Sequence, residues 1–174
     1  GGFDGSGILV SATGCTLAGN WIGLDASGTT ALANHGDGIT VSADGATIGG
    51  ATPQTRNVIS GNGVDGIRVQ NAVSGCTIQG NYVGTNPAGT AAIGNSSILA
   101  PSAGIEANGS NIIVGGAAAG QRNVISGNAD MGVRLSGTLN QLVGNTIGMA
   151  ANGTSPLGNA GAGVFVSSLF GGSN

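Results

Sequence analysis

The chain has 174 residues, 37 of them Gly, with only 6% charged and 3% aromatic side chains and a net charge of −3. Collagen is excluded because Gly does not recur at every third position and only four Pro are present, and the wealth of Ile, Val and Thr argues against disorder. With no Lys and four Arg there is no basic patch for a nucleic acid, and no apolar stretch approaches the ~18 residues of a membrane span.

The Gly and Asn punctuate many short strands. In chain order, the first strand predicted is GILV from Gly7, followed by GCTLAGN from Gly14 and NWIG from Asn20. The same trio returns as GITV from Gly38, ATIGG from Ala46 and NVISGN from Asn57, and again as GIRVQ from Gly66, CTIQG from Cys76 and NYVG from Asn81. A fourth set runs GIEA from Gly104, a second strand with Ile113 facing inward, and NVISGN from Asn123. A fifth runs GVRL from Gly132, QLVG from Gln141 and NTIG from Asn145, and GVFV from Gly163 opens a sixth. Starts of the first strand are spaced 31, 28, 38, 28 and 31 residues apart. Three strands recurring in one order fit a coil, with equivalent strands stacked in parallel on the next turn. Period-two alternation turns one set of Ile, Val and Leu inward. The expected fold is all-β: a right-handed single-stranded parallel β-helix of about five complete three-strand coils plus a partial sixth, forming one domain over 1–174. The hand follows from the right-handed preference of parallel crossovers.

Insertions alternate between two corners. Odd coils carry them after the third strand, at 24–34, 85–95 and 149–159; even coils carry them before it, as ATPQTR at 51–56 and AAAGQR at 117–122. Two rows of protruding loops are expected, the usual place for function in repeat proteins. Asn20, Asn57, Asn81, Asn123 and Asn145 open the third strand of successive coils. Stacked amides hydrogen-bond along a ladder, so these five are read as structural.

The IxGN, NVISGN and DGIxV units and the GTxxxGTxxxGN inserts resemble the right-handed parallel β-helix repeats of pectate-lyase-like proteins, and most closely the repeat arrays of large secreted or surface-attached bacterial proteins. The resemblance covers nearly the whole chain. It implies the fold and an extracellular or cell-surface location; among activities it spans polysaccharide lyases, hydrolases and epimerases, adhesins and passive stalks, so fold alone selects none.

Candidate chemistry is sparse. Arg68, Glu106 and Arg134 take the outward position of the first strand on successive coils and are read as a cross-strand charge ladder. Glycosidase chemistry needs two cooperating carboxylates, and this face supplies one mid-strand; Asp37 and Asp65 read as turn residues in Asp-Gly pairs. Trp21 and Tyr82 share an outward position two coils apart, at about 9.6 Å; two readings stay open for them, stacking on sugar rings, or packing under a neighbouring loop or against a sister subunit. Thr16, Thr47 and Thr77 make an outward row that Ile112 and Gln141 interrupt. Cys15 and Cys76, also two coils apart, are too distant for a disulfide and are expected as buried free thiols. His35, the one His, reads as a solvated loop residue; no triad can be assembled and no metal or cofactor is expected. Asn95, Asn108 and Asn152 match the N-glycosylation acceptor pattern. The chain begins on a first strand and stops just after another, without a polar cap, a pattern expected of a longer array or of subunits that associate end to end. Together these features lead to the expectation of a non-catalytic structural module of an extracellular or cell-surface protein, polymerising end to end into a filament. The alternative is a polysaccharide-binding or polysaccharide-degrading β-helix protein.

Overall fold

The structure is a computed structural model that describes residues 1–96 and 101–167. Its first coil consists of β1 (Ile8–Val10), β2 (Thr16–Leu17) and β3 (Trp21–Ile22), and its second of β4 (Ile39–Val41), β5 (Thr47–Gly49) and β6 (Val58–Ile59). The third coil holds β7 (Ile67–Val69), β8 (Thr77–Gln79) and β9 (Tyr82–Val83); the fourth holds β10 (Ala103–Ala107), β11 (Ile113–Gly115) and β12 (Val124–Ile125). The fifth holds β13 (Met131–Leu135), β14 (Gln141–Val143) and β15 (Thr146–Ile147), and β16 (Val164–Val166) starts the sixth.

Equivalent strands stack into three sheets. The first runs β1-β4-β7-β10-β13-β16, the second β2-β5-β8-β11-β14 and the third β3-β6-β9-β12-β15. The pairing is parallel and in register, with Ile8, Ile39, Ile67, Ile105, Val133 and Val164 directly over one another. This is the right-handed parallel β-helix expected from the repeats. Strands of two or three residues are too short to stand alone; each is held by burying one or two aliphatic side chains in a shared axial core. Ile39, Ile67 and Ile105 from the first sheet, Ile48, Ile78 and Val114 from the second, and Ile59, Val83 and Ile125 from the third are all fully buried there.

One expectation is corrected. Ile113 does not face the core: it aligns with Thr77 and Gln141 and is 37% exposed, while Val114 aligns with Ile78 and Leu142. Ile112-Ile113-Val114 is an unbroken apolar run, so alternation alone does not choose a phase. Turning Ile112 and Val114 inward buries two apolar side chains completely where the opposite phase buries one. It also puts Ile112 in the inward row of Cys76, and Ile113 becomes the first break in the outward Thr row.

The loops leave from two corners, as anticipated. Each odd-coil insertion is a miniature hairpin closed by one antiparallel bridge: Leu24 with Ala31, Thr85 with Ala92, and Met149 with Pro156. Each even-coil insertion contains a single 3-10 turn, Pro53–Thr55 or Ala119–Gln121. Among the described residues no helix is long and apolar enough to cross a membrane.

Candidate functional site: an arginine–carboxylate cluster and its flanking surfaces

Two asparagine ladders fix the geometry on which any site must sit. In the ladder read from the sequence, Nδ2 of Asn20 donates to Oδ1 of Asn57 at 3.0 Å, and the chain continues through Asn81 at 2.9 Å, Asn123 at 3.1 Å and Asn145 at 2.8 Å. Each amide after Asn20 also donates to a carbonyl of the preceding coil, as Asn81 Nδ2 does to Ile48 O at 2.9 Å. A second ladder, not singled out in the sequence, turns the corner between third and first strands. Asn34 donates to Asn62 at 2.8 Å, Asn62 to Asn95 at 2.8 Å, Asn95 to Asn128 at 3.0 Å and Asn128 to Asn159 at 2.9 Å. Its signal was present: Asn34, Asn62, Asn128 and Asn159 each stand four residues before the Gly of a first strand, and Asn95 stands nine before Gly104.

Glycine makes room for both ladders. Gly49 and Gly115 have φ of 87° and 91°, and a Cβ at either would collide with the side chain of Asn81 or Asn145. Gly23 and Gly84, at φ 84° and 89°, stand in the same relation to Asn62 and Asn128. In that left-handed region a side chain is strained even without the collision.

The second ladder settles one glycosylation candidate. Asn95 is 1% exposed, and its Nδ2 is engaged by Ile59 O at 3.0 Å as well as by Asn128, so in the folded rod it has no free amide for a glycan. The Ser97 of its acceptor pattern lies outside the described residues. Asn108 is half-buried and its Oδ1 accepts the Ser136 hydroxyl. Asn152 is exposed on the last hairpin, where its Oδ1 accepts the N–H groups of Thr154 and Ser155 at 3.0 Å each.

Of the chain's eleven acidic and Arg residues, five converge on the outer face of the first sheet, across β4 to β13. The expected neighbours meet: Arg68 Nε lies 3.0 Å from Glu106 Oε2, and Arg134 Nη1 lies 2.9 Å from Glu106 Oε1. Asp37 and Asp65, read from the sequence as turn residues, belong to the same cluster. Arg68 reaches Asp65 Oδ2 through Nη2 at 2.7 Å and Nε at 2.9 Å, and Asp37 Oδ2 stands 3.5 Å from that Nε. The missed signal is the i,i+3 spacing, which also joins Thr40 Oγ1 to Asp37 Oδ2 at 2.7 Å. The remaining carboxylate oxygens are also engaged: Ala103 N–H donates to Asp65 Oδ1 at 2.7 Å, and Asp65 N–H to Asp37 Oδ1 at 3.2 Å.

The carboxylates are nearly inaccessible. Side-chain exposure is 9% for Asp37, 1% for Asp65 and 10% for Glu106, against 36% for Arg68 and 34% for Arg134. Burial pushes the Asp65 carboxyl up to about 7, with the Glu106 charge adding to the rise and the Ala103 N–H and Arg68 opposing it. Beside the cluster lies a groove of about 420 Å³ lined by Arg68, Gln70, Asn71, Ala72 and Asn108. What faces this groove is a guanidinium and amides, while the carboxylates lie beneath the two Arg side chains. The arrangement suits cross-coil clamping better than proton transfer, which needs an acid or base within hydrogen-bond reach of substrate.

Trp21 and Tyr82 do not form an open two-ring platform. Trp21 is 48% exposed, but a side chain at Gly28 on the first hairpin would run into its ring. Tyr82 is half-buried under Gly89 of the second hairpin, and the Arg56 guanidinium carbon sits 4.0 Å from its ring centroid. Cys76 is buried, with burial raising its thiol pKa, and Cys15 is half-buried; both are free. His35 is exposed, with Nδ1 3.2 Å from Asp4. Among the described residues no group of three His, Cys, Asp or Glu side chains is placed to hold a metal ion.

Comparison with protein-family models, with curated proteins and with solved structures finds no match, so function is argued from these geometries.

Proposed function

We propose that this chain is a non-catalytic structural module of an extracellular or cell-surface protein: a stiff spacer that holds two rows of loops at fixed intervals. The observation that carries the reading is the pair of Asn ladders, which pass from coil to coil without a break, so that each coil is hydrogen-bonded to the next at two corners as well as along three sheets. A rod so uniformly tied resists bending and local opening, the properties of a spacer. Extracellular placement rests on the resemblance to secreted and surface-attached arrays, and association of such rods end to end into filaments belongs to the same proposal.

A second reading has one observation in its favour. Three carboxylates surround Arg68, and one of them titrates near neutrality, a combination met in enzymes acting on polysaccharides. Two assays separate the readings. The first is turnover on a broad panel of neutral and acidic polysaccharides: none is expected, and cleavage abolished by Glu106→Gln would replace the spacer with an enzyme. The second is negative-stain microscopy with size-exclusion chromatography at high concentration. Rods of uniform width joined lengthwise are expected, and a dispersed monomer at every concentration removes the filament part.

A further inference from the structure

Arg56 and Arg122 differ from the other two arginines. Arg68 and Arg134 are spent on carboxylates, whereas among the described residues no carboxylate lies within ion-pair distance of Arg56 or Arg122. Both open an RNVISGN segment, two residues before the register partners Val58 and Val124, which lie on either side of Tyr82 in the third sheet. The backbones of the two arginines therefore repeat at about 9.6 Å, two inter-strand spacings. Each reaches over the following odd coil: Arg56 donates from Nε to Gly80 O at 3.2 Å and stacks on Tyr82, and Arg122 Nη1 lies 3.5 Å from Thr146 Oγ1. Along the rod axis the order is Trp21, Arg56, Tyr82, Arg122, an alternation of aromatic and cation on one edge of the third sheet.

Stacking on Tyr82 and the Nε bond to Gly80 O fix the plane of the Arg56 guanidinium and leave its two Nη groups to bind a carboxylate or sulfate with two donors. Trp21, 48% exposed at the end of the strip, adds a ring face for the C–H side of a sugar. The strip holds only two of the four Arg of a chain of net charge −3, which disfavours a dense polyphosphate. It suits a polymer with one charge per pair of units, whose repeat matches the spacing of the two arginines.

We propose that the Trp21–Arg56–Tyr82–Arg122 strip binds a linear acidic polysaccharide carrying one carboxylate or sulfate per disaccharide, laid parallel to the rod axis. The test is fluorescence anisotropy on the whole chain with labelled hyaluronan and unsulfated chondroitin oligosaccharides, dextran as the neutral probe and oligo-dT as the polyphosphate. The acidic glycans should bind, with dextran and oligo-dT at least tenfold weaker. Arg122→Ala, a change at an exposed side chain, should weaken binding several-fold, and Arg56→Ala with Arg122→Ala at least tenfold, with an unchanged circular dichroism spectrum. Asp44→Asn, at an exposed turn before the second sheet, should bind as the unaltered chain does. The proposal is overturned by no binding of either acidic glycan, by binding undiminished in the double variant, by tighter binding of oligo-dT, or by loss of binding in Asp44→Asn. None of these outcomes bears on the spacer reading, which stands or falls on turnover and on rod assembly.

Discussion

Replacing Asn81 by Ala is the most direct measure of what the ladders contribute. Asn81 is fully buried in the middle coil. Its Oδ1 accepts the Asn57 backbone N–H at 3.2 Å and the Asn57 side-chain amide at 2.9 Å; its Nδ2 donates to Ile48 O at 2.9 Å, Gln79 O at 3.1 Å and Asn123 Oδ1 at 3.1 Å. After truncation the Asn57 side chain keeps Leu17 O, and Asn123 Oδ1 keeps the backbone N–H of residue 81. The Asn57 backbone N–H keeps nothing, and two carbonyls each lose a donor. An orphaned buried group costs about 1–3 kcal/mol; one complete orphan and two partial ones give about 3 kcal/mol. With a urea slope of about 2 kcal/mol per molar, the unfolding midpoint should fall by roughly 1.5 M. Asn20→Ala is the matched control, because Asn20 is the half-buried end of the same ladder and should cost less than about 1 kcal/mol. Urea titrations of the two variants side by side decide the matter: equal midpoints would show that the ladder ornaments the corner and does not hold it.

Three further outcomes follow from the geometry. Asp65 is pushed up to about 7 from 3.8 by burial, so between those values the folded chain holds a proton that the unfolded chain has released. Stability should therefore be greatest on the acid side and decline as pH rises through 7, and thermal melts at pH 5.5 and pH 8.5 should converge in Asp65→Asn. Gly49→Ala combines a φ of 87° with a collision on Gln79 O and the Asn81 side chain; a loss of at least about 3 kcal/mol, or no soluble rod, is expected by equilibrium unfolding. Register in the fourth coil is tested by Ile113→Thr, which should change stability by less than about 1 kcal/mol, against Val114→Thr, which buries a hydroxyl and should cost about 1–3 kcal/mol; the reverse order would restore the inward Ile113 first expected from the sequence.

Most of the fold was legible because its constraints are local and repeated. The GIxV strands, the Asn before each third strand and the alternating insert positions each recur often enough that one phase satisfies all of them. Legibility failed where a segment lacked contrast. Ile112-Ile113-Val114 has no polar residue to set its phase, and only packing against Cys76 and Ile78 chooses it. The second ladder was hidden by the spacing of Asn95 from Gly104, five residues longer than in the other coils. In the cluster, Arg68, Glu106 and Arg134 could be stacked from the repeat, but Asp37 and Asp65 stand at a strand entrance. Whether their carboxylates turn outward to solvent or lie under Arg68 depends on the backbone N–H of Ala103 and Asp65, which no side-chain pattern reports. Trp21 and Tyr82 were placed in the right row with packing under a loop as one of two readings, but a count of inward and outward positions does not say that Gly28, Gly89 and Arg56 are what meets the rings.

The equivalence of Arg56 with Arg122, two coils apart, makes rod length a quantity that heredity can adjust in whole steps. Excising 57–122 would splice Arg56 to Asn123, bring Val124 beside Trp21 in place of Val58, and leave each amide, each aliphatic layer and the alternation of loop corners with the neighbour it already expects. Duplicating the same block would lengthen the rod by about 9.6 Å and add one loop to each row. Unequal crossing-over between such repeats therefore keeps both amide ladders and the aliphatic layers, and a lineage carrying this chain can vary its reach by remaking only the charged contacts around Arg134.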